Sequence, residues 1–497
     1  MGRRIRYLGV GLVVLFALIL GQLVNVQFLR ARTLADDPQN PRLAALHYDN
    51  LRGPIYAADG TVLAQSVPNP KGPFKYTRAY PQGSLYAGVL GYDSLFYGTA
   101  GLEDQYDQDL RAHRAPPETL GQILNPPGFT TNSLTLTLQP GLQKAAAQAL
   151  STLPPGPNRD GAVVVLDPHT GGVLAMVSSP TYDPNQLSSP DVATEQAAHA
   201  QAAQPDGEGF SALQPVATAR SFPPGSTFKV VTSTAVYHLK PELAGYSFPP
   251  STSLTFSDSN QTLVNDGGQP CGGTMTEMLP QSCDPGYGKL GILLGSPLLN
   301  QEAGLFGYDQ RPPLDLPGVT TSAFPSVAQV GPASQAFEAY DAIGQYDVRA
   351  TALQNAMVAA AIADNGTLMV PHLMDRITDH QGNVVRADQP AVLSQVATAA
   401  QAQQVNQLMQ GVPKAGGTAA GVLDLSLDPA VKTGTAQVQA PGVSENTDDW
   451  MIGFAPANNP KVAVAVVVPY QAQSATGAAV AGPIMNAVLT AALRGGG

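Results

Sequence analysis

Ser226-Thr-Phe-Lys229 places a hydroxyl and an amine three residues apart, directly after Pro223-Pro224-Gly225. That breaker cluster forces a helix to begin there, and on a helix residues i and i+3 face the same side. A serine hydroxyl is a weak nucleophile until a neighbouring base takes its proton, and a desolvated neutral lysine is such a base. Further along, Lys432-Thr433-Gly434-Thr435 leads into the apparent strand Ala436-Gln437-Val438. It supplies a second cation, two hydroxyls and a glycine that, on an edge strand, lets a substrate backbone approach closely. A Ser-x-x-Lys match alone is weak, with roughly half a match expected by chance, whereas Lys-Thr-Gly is expected only about 0.06 times. The two together, in this order, are a strong signal of nucleophilic chemistry on Ser226.

Such groups need rigid elements behind them. Leu134, Leu136 and Leu138 alternate with threonines as a half-buried strand does, and Pro140 stands where a helix would start. Residues 161–167 and 172–178 read as strands across the turn Pro168-His169-Thr170-Gly171. Residues 450–456 and 461–468 read as a second strand pair, and 482–494 as a closing helix. The patterns between them, at 227–239, 286–306 and 348–364, are helical. Strands at both ends around a helical middle predict one α/β (α+β) domain whose sheet joins distant parts of the chain. The stretch 185–215, dense in Ala, Gln and Ser, is expected to be a mobile loop. Upstream, residues 34–130 are turn-rich, with Pro41, Pro54, Pro68, Pro70 and Pro81, and Ile55 to Ala64 reads as a hairpin around Asp59-Gly60. That region is expected to be an extended, β-rich module.

Composition removes several classes. Of 497 residues 43% are apolar, enough for real cores, so wholesale disorder is excluded. The 50 Gly and 44 Pro are aperiodic, which excludes collagen. A net charge of −11 with no basic run beyond the first six residues argues against a nucleic-acid partner. Two Cys and seven scattered His make a structural zinc module improbable.

Arg3, Arg4 and Arg6 precede a stretch from Tyr7 to Leu29 whose one ionisable side chain is that tyrosine. As a helix it would reach about 34 Å, enough to span a bilayer core, with the basic end kept in the cytoplasm. Leu29-Arg30-Ala31-Arg32 is a poor signal-peptidase site, so the span is read as an uncleaved anchor. Cys271 and Cys283 are an isolated pair in an exported chain, where a disulfide persists, and closing so short a loop contributes about 3 kcal/mol.

Ser-x-x-Lys followed by Lys-Thr-Gly is the signature of penicillin-binding proteins and serine β-lactamases. Arg52-Gly-Pro-Ile, Gly101-Leu-Glu103, Leu136 to Gln143, Pro223 to Lys229 and Ala430 to Gln437 extend the match in order, and the chain resembles monofunctional class B penicillin-binding proteins. Its opening and its Cys271–Cys283 segment look most like the actinobacterial penicillin-binding protein A group. The resemblance implies a cytoplasmic N-terminus (1–6), a transmembrane signal-anchor helix (7–29), a β-rich non-catalytic pedestal (30–130) and a transpeptidase domain (131–497). It also implies D,D-transpeptidation, without metal or cofactor, of peptidoglycan stem peptides ending in D-Ala-D-Ala, covalent inhibition by β-lactams, a role in cell division or cell shape, and contacts with cell-wall synthesis proteins through residues 30–130.

Carried over position by position, the resemblance makes Ser226 the nucleophile, Lys229 its base, Ser282 a proton relay between the two lysines, and Lys432 the source of local positive potential. Thr433 and Thr435 would hold the terminal carboxylate, and the backbone N–H groups of Ser226 and Thr435 would form the oxyanion hole, whose donors are worth about 3–4 kcal/mol each. The family's third motif, Ser-x-Asn, appears here as Ser282-Cys283-Asp284. An amide donates and accepts, whereas a carboxylate only accepts, so Asp284 is expected either to pair with one of the lysines and hold it protonated or simply to replace the asparagine as an acceptor. Ser259-Asn260 and Ser444-Glu445-Asn446 do not fit the motif's place. Trp450 and Tyr346 are read as packing residues and His169 as an exposed turn residue. The alternatives are a D,D-carboxypeptidase, a scaffold impaired by Asp284, and a β-lactam sensor, for which six residues before the membrane leave no output domain.

Overall fold

In the computed structural model the described residues are 2–30, 48–70, 74–114, 119, 121, 128–153, 160–205, 209–325, 334–438 and 446–495. Pro41, the end of the cleavage-site segment at Ala31-Arg32, and Ser444-Glu445 lie outside them.

In chain order the main elements are helix α1 (Gly2–Val24) and strands β1 (Ile55–Tyr56), β2 (Val62–Pro68), β3 (Tyr76–Ala79) and β4 (Ser133–Leu136). Helix α2 (Pro140–Ser151) follows, then strands β5 (Gly161–Leu166) and β6 (Val173–Ser179) and helix α3 (Val192–Ala202). Helices α4 (Lys229–Leu239), α5 (Asp284–Leu294), α6 (Ser296–Leu305) and α7 (Ala352–Ala363) make the middle of the chain. Strands β7 (Met374–Thr378), β8 (Val384–Ala387), β9 (Ala430–Val438), β10 (Asn446–Ala455) and β11 (Val462–Ala472) lead to helix α8 (Gly477–Arg494).

Strands from both ends of residues 161–472 form one antiparallel sheet, in the order β6-β5-β11-β10-β9. Period-two alternation explains its two buried faces. Ala162, Val164, Leu166, Ala463 and Ala465 pack with α7, whose twelve residues are all buried, while Val163, Val165, Val464 and Val466 pack with α2 and α8. The alanines of β11 fall on the face covered by Ala-rich α7, where small side chains allow close approach; the valines fall on the other. Because both faces are covered, these strands read as continuous apolar runs. α8 is also long and apolar enough to cross a membrane, but it is a core helix, with Ile484, Met485, Val488 and Leu489 buried in this layer.

The Asp59-Gly60 hairpin forms as expected: Gly60 has φ 86° and β1 pairs antiparallel with β2. The sheet it belongs to, β8-β7-β4-β1-β2-β3, is completed by strands from beyond residue 130. The described part of 48–114 also contains short helical turns at Ala87–Leu90, Gly101–Gln105 and Asp107–Leu110. Its core is polar at one point: the Glu103 carboxylate, fully buried, accepts from Arg52 Nε at 2.6 Å and Arg78 Nε at 2.7 Å.

Three expectations are corrected. The stretch 185–215 contains α3 instead of being a loop throughout, because Asp191 caps its start by accepting from Thr194 N–H, and buried Glu195 ties it down. The helical pattern 286–306 is split into α5 and α6 at Gly295, whose φ of 80° no helix accommodates. The pattern at 348–364 begins at Ala352, where Thr351 accepts from Gln354 N–H. At the N-terminus α1 continues through a π-helical turn at Asn25–Leu29, and Arg6–Gln27 is long and apolar enough to cross a membrane.

Candidate active site

Gly225, at φ 53°, turns the chain into a 3-10 turn over Gly225–Phe228 that runs directly into α4. The turn is clamped from three sides. Gly225 N–H donates to Gly344 O at 2.9 Å, Trp450 Nε1 donates to Pro223 O at 2.9 Å, and Thr227, bonded to Pro224 O, accepts from Asn355 Nδ2 of α7. Gly344 is itself indispensable, since with φ 72° an added Cβ would stand 2.3 Å from Gly225 O. Ser226 is thereby held at the wall of a cleft of about 870 Å³ that Ser282, Asp284, Thr433 and Thr435 also line.

Lys229, one turn on, is fully buried beneath the cleft. Its Nζ donates to Ser282 O at 2.7 Å and to Asp284 Oδ1 at 2.6 Å, and lies 3.3 Å from Ser282 Oγ. Lys432, fully buried on edge strand β9, donates to Ser282 Oγ at 2.8 Å and to Thr433 O at 2.9 Å. Ser282 therefore bridges the lysines. It does so from the left-handed region, at φ 57°, a conformation that costs a non-glycine residue about 1–3 kcal/mol and persists only where the surroundings enforce it. The enforcement is visible: Cys283 is bridged to Cys271 with Cα atoms 5.6 Å apart, and Asp284, the first residue of α5, donates its N–H to Asn265 Oδ1 at 3.1 Å. Asp284 Oδ2 also accepts from Asp266 N–H at 3.2 Å.

Burial pulls both ammonium groups below the ordinary lysine value. For Lys229 the Asp284 carboxylate opposes that pull. Lys432 falls further, because burial is joined by the charge of Lys229. Of the pair, Lys432 gives up its proton first, and the positive charge they share is biased toward Lys229 beside Asp284.

The polar positions expected from the sequence are thus all brought to one cleft or directly under it. At Gly434 a Cβ would meet Pro224 O at 2.8 Å and Thr227 Cγ2 at 2.9 Å, so the glycine also lets β9 pack against the Ser226 turn. Sequence reasoning missed Thr418, whose hydroxyl lies 2.7 Å from that of Thr433, and Asp266 and Tyr346, which line the cleft. Tyr346 carried a signal, since it follows Gly344-Gln345; Thr418 and Asp266 sit in loops with none. Trp450, by contrast, is a packing residue as expected, fully buried behind Pro223.

The family model described as the penicillin binding protein transpeptidase domain matches residues 161–490. The chain belongs to the penicillin-binding protein transpeptidase family. A second model, the penicillin binding protein A dimerisation domain, matches residues 52–118. Peptidoglycan D,D-transpeptidase PbpA of Mycolicibacterium smegmatis is 36% identical over the whole of both chains, and PbpA of Mycobacterium tuberculosis is 35% identical, again over the whole of both. Among solved structures, the penicillin G acyl-enzyme complex of penicillin-binding protein A from M. tuberculosis superposes with a TM-score of 0.79 at 32% identity, covering 89% of this chain and all of that one. The penicillin-binding fold thus places this chain's Ser-x-x-Lys, Ser-x-Asp and Lys-Thr-Gly-Thr segments around one cleft.

Proposed function

We propose that the chain is a serine peptidoglycan D,D-transpeptidase that cross-links stem peptides and is acylated by β-lactams. The observation that carries this reading is Ser226 on an open cleft above two buried lysines that share one hydroxyl. Relatives named D,D-transpeptidases and the acyl-enzyme complex of a similar structure support it.

In this reading Ser226 Oγ attacks the penultimate D-Ala carbonyl as its proton passes to the lysine pair. The tetrahedral intermediate expels the terminal D-Ala, whose nitrogen takes a proton through Ser282. The donor is left as an ester on Ser226. An amine of a neighbouring stem peptide then attacks that ester, forms the cross-link amide and returns the proton to Ser226. Thr433 and Thr435 on the edge strand hold the donor's terminal carboxylate. Asp284 replaces the neutral amide of the family motif with a charge that stabilises Lys229 as ammonium. That fits Lys432, through Ser282, to accept the first proton.

The apolar segment 7–29 anchors the enzyme with residues 1–6 in the cytoplasm. Residues 30–130 form the pedestal and 131–497 the extracytoplasmic catalytic domain, with cell-wall synthesis proteins docking on the pedestal. A D,D-carboxypeptidase would share every step up to the ester and then use water. The separating experiment gives the full-length protein a depsipeptide donor with and without a D-amino acid. The transpeptidase reading predicts that transfer product replaces hydrolysis product as the amine is raised; hydrolysis unaffected by amine would favour the carboxypeptidase.

A further inference from the structure

Strand β10 carries two adjacent carboxyls, Asp448 and Asp449, and both are fully buried. Alternation sends them to opposite faces of the sheet. Asp448 shares its face with Trp450, and its Oδ1 accepts the N–H of Tyr470 at 3.1 Å. Asp449 lies on the other face, with Met451, beneath the start of α8. Neither of its oxygens is in good hydrogen-bond geometry with any group among the described residues, the nearby Thr447 hydroxyl included. A buried carboxyl in that position costs several kcal/mol if ionised, and needs a reason to be there.

The register supplies one. Asp449 stands directly opposite Thr435 in the β9–β10 ladder, where paired side chains share a face with Cβ atoms about 5 Å apart. Thr435 Oγ1 accepts the N–H of Gly477, the first residue of α8, at 3.1 Å. That helix start is pressed onto the strands, since a Cβ on Gly477 would lie 2.3 Å from both Gly434 O and Trp450 O. With one lone pair engaged, the Thr435 hydroxyl keeps one proton to give and one lone pair to offer. A neutral Asp449 can donate to that lone pair, which leaves the Thr435 proton for the cleft. An ionised Asp449 can only accept, and takes the proton back.

We propose that Asp449 is a positioning residue for the donor's terminal carboxylate: neutral, it turns the Thr435 hydroxyl toward the cleft; ionised, it withdraws that hydroxyl and sets a negative charge behind the pocket. The proposal rests on the reading that Thr433 and Thr435 hold that carboxylate. Burial, then the adjacent Asp448, then Asp266 across the cleft push Asp449 up to about 7, against the hydroxyl of Thr447. The remaining elements packed on it bring no charge. β11 carries Tyr470, whose ring lies on the opposite face against Phe222, and the one charged residue of α8, Arg494, is bound to Asp424 at its far end. Lys432 on β9 points to the opposite face from Asp449, toward Ser282.

The test compares benzylpenicillin with its methyl ester, which lacks the carboxylate, in acylation of the full-length protein. The wild-type ratio of the two rates is expected to fall about tenfold between about pH 6 and about pH 8.5, as one charge appears near another. In Asp449→Asn, which cannot ionise, the ratio is expected to stay level. A flat ratio in the wild type overturns the proposal without any variant having to fold, and an equal fall in Asp449→Asn assigns the effect to Lys432 and overturns it too. If neither compound acylates the wild type at any pH, the transpeptidase reading itself fails, and with it this one.

Discussion

Asp284 decides where the positive charge under the cleft resides. Its carboxylate sits 2.6 Å from Lys229 Nζ, and it is the largest influence opposing the burial that would otherwise strip that lysine of its proton. A buried pair of this kind is costly to break one-sidedly, because the partner is left charged and alone. Asp284→Asn keeps the shape and the acceptor oxygen but removes the charge, so Lys432, whose proton that charge also helps to hold, releases it more readily. More of the base is then neutral at neutral pH. The acid limb of the acylation rate should move to lower pH, and each tenfold loss in the lysine's proton affinity should raise the rate near neutrality about tenfold. A stopped-flow pH profile with a chromogenic cephalosporin measures this; an unmoved limb would mean that Asp284 serves only as an acceptor. At this scale the sequence was highly legible for Ser226, Lys229 and Lys432, whose spacing encodes chemistry. It was illegible for Asp449 and Thr418, because a buried carboxyl and a loop hydroxyl acquire meaning only through the strand register and the chain crossing that place them.

Helices α4 and α6 bring a further buried acid into the core. Glu302 is fully buried, its Oε2 lies 3.0 Å from His238 Nδ1, and burial pushes it up to about 8. In the unfolded chain a glutamate releases its proton near the ordinary value of about 4.3, so between there and about 8 the native state binds the extra proton. Stability conferred by that proton is complete below the unfolded value and is lost as pH rises through the folded one. Asp341, also raised to about 8 by burial, adds to the same slope. Glu302→Gln has no proton to lose, so its melting temperature should gain on the wild type from about pH 5 to about pH 8 and level off above that. A constant difference across that range would show that Glu302 is ionised throughout. The elements themselves were largely foreseeable: α2 from Pro140, α4 from the Pro-Pro-Gly break, and β5, β10 and β11 from apolar runs. Boundaries failed where one residue overrides a pattern, as Gly295 does between α5 and α6, and α3 was missed because its Ala-Gln sequence has no apolar stripe to announce it.

At the scale of the whole molecule, the segment before residue 130 is joined to the rest of the chain through the shared sheet and, separately, through α3 and the residues just before it. Glu195 Oε1 accepts from Ser94 Oγ and from Phe96 N–H, the rings of Tyr97 and His199 stack with centroids 3.7 Å apart, and Asn185 exchanges two hydrogen bonds with the backbone of Tyr80. Glu195→Ala takes the acceptor from the buried Ser94 hydroxyl and from the Phe96 N–H, and a buried donor left unpaired costs about 1–3 kcal/mol. Limited proteolysis should then cut residues 94–99 faster while penicillin acylation is retained; unchanged proteolysis would mean that stacking and the Asn185 contacts suffice. This docking was invisible in the sequence, since its partners are about a hundred residues apart and carry no motif.

The central claim is that Ser226 is the acylated residue. It is tested most directly by treating the full-length protein with benzylpenicillin and locating the adduct by peptide mass spectrometry. One adduct is expected, on Ser226, and none in Ser226→Ala. An adduct on another residue, one that survives in Ser226→Ala, or none on a folded protein would contradict it.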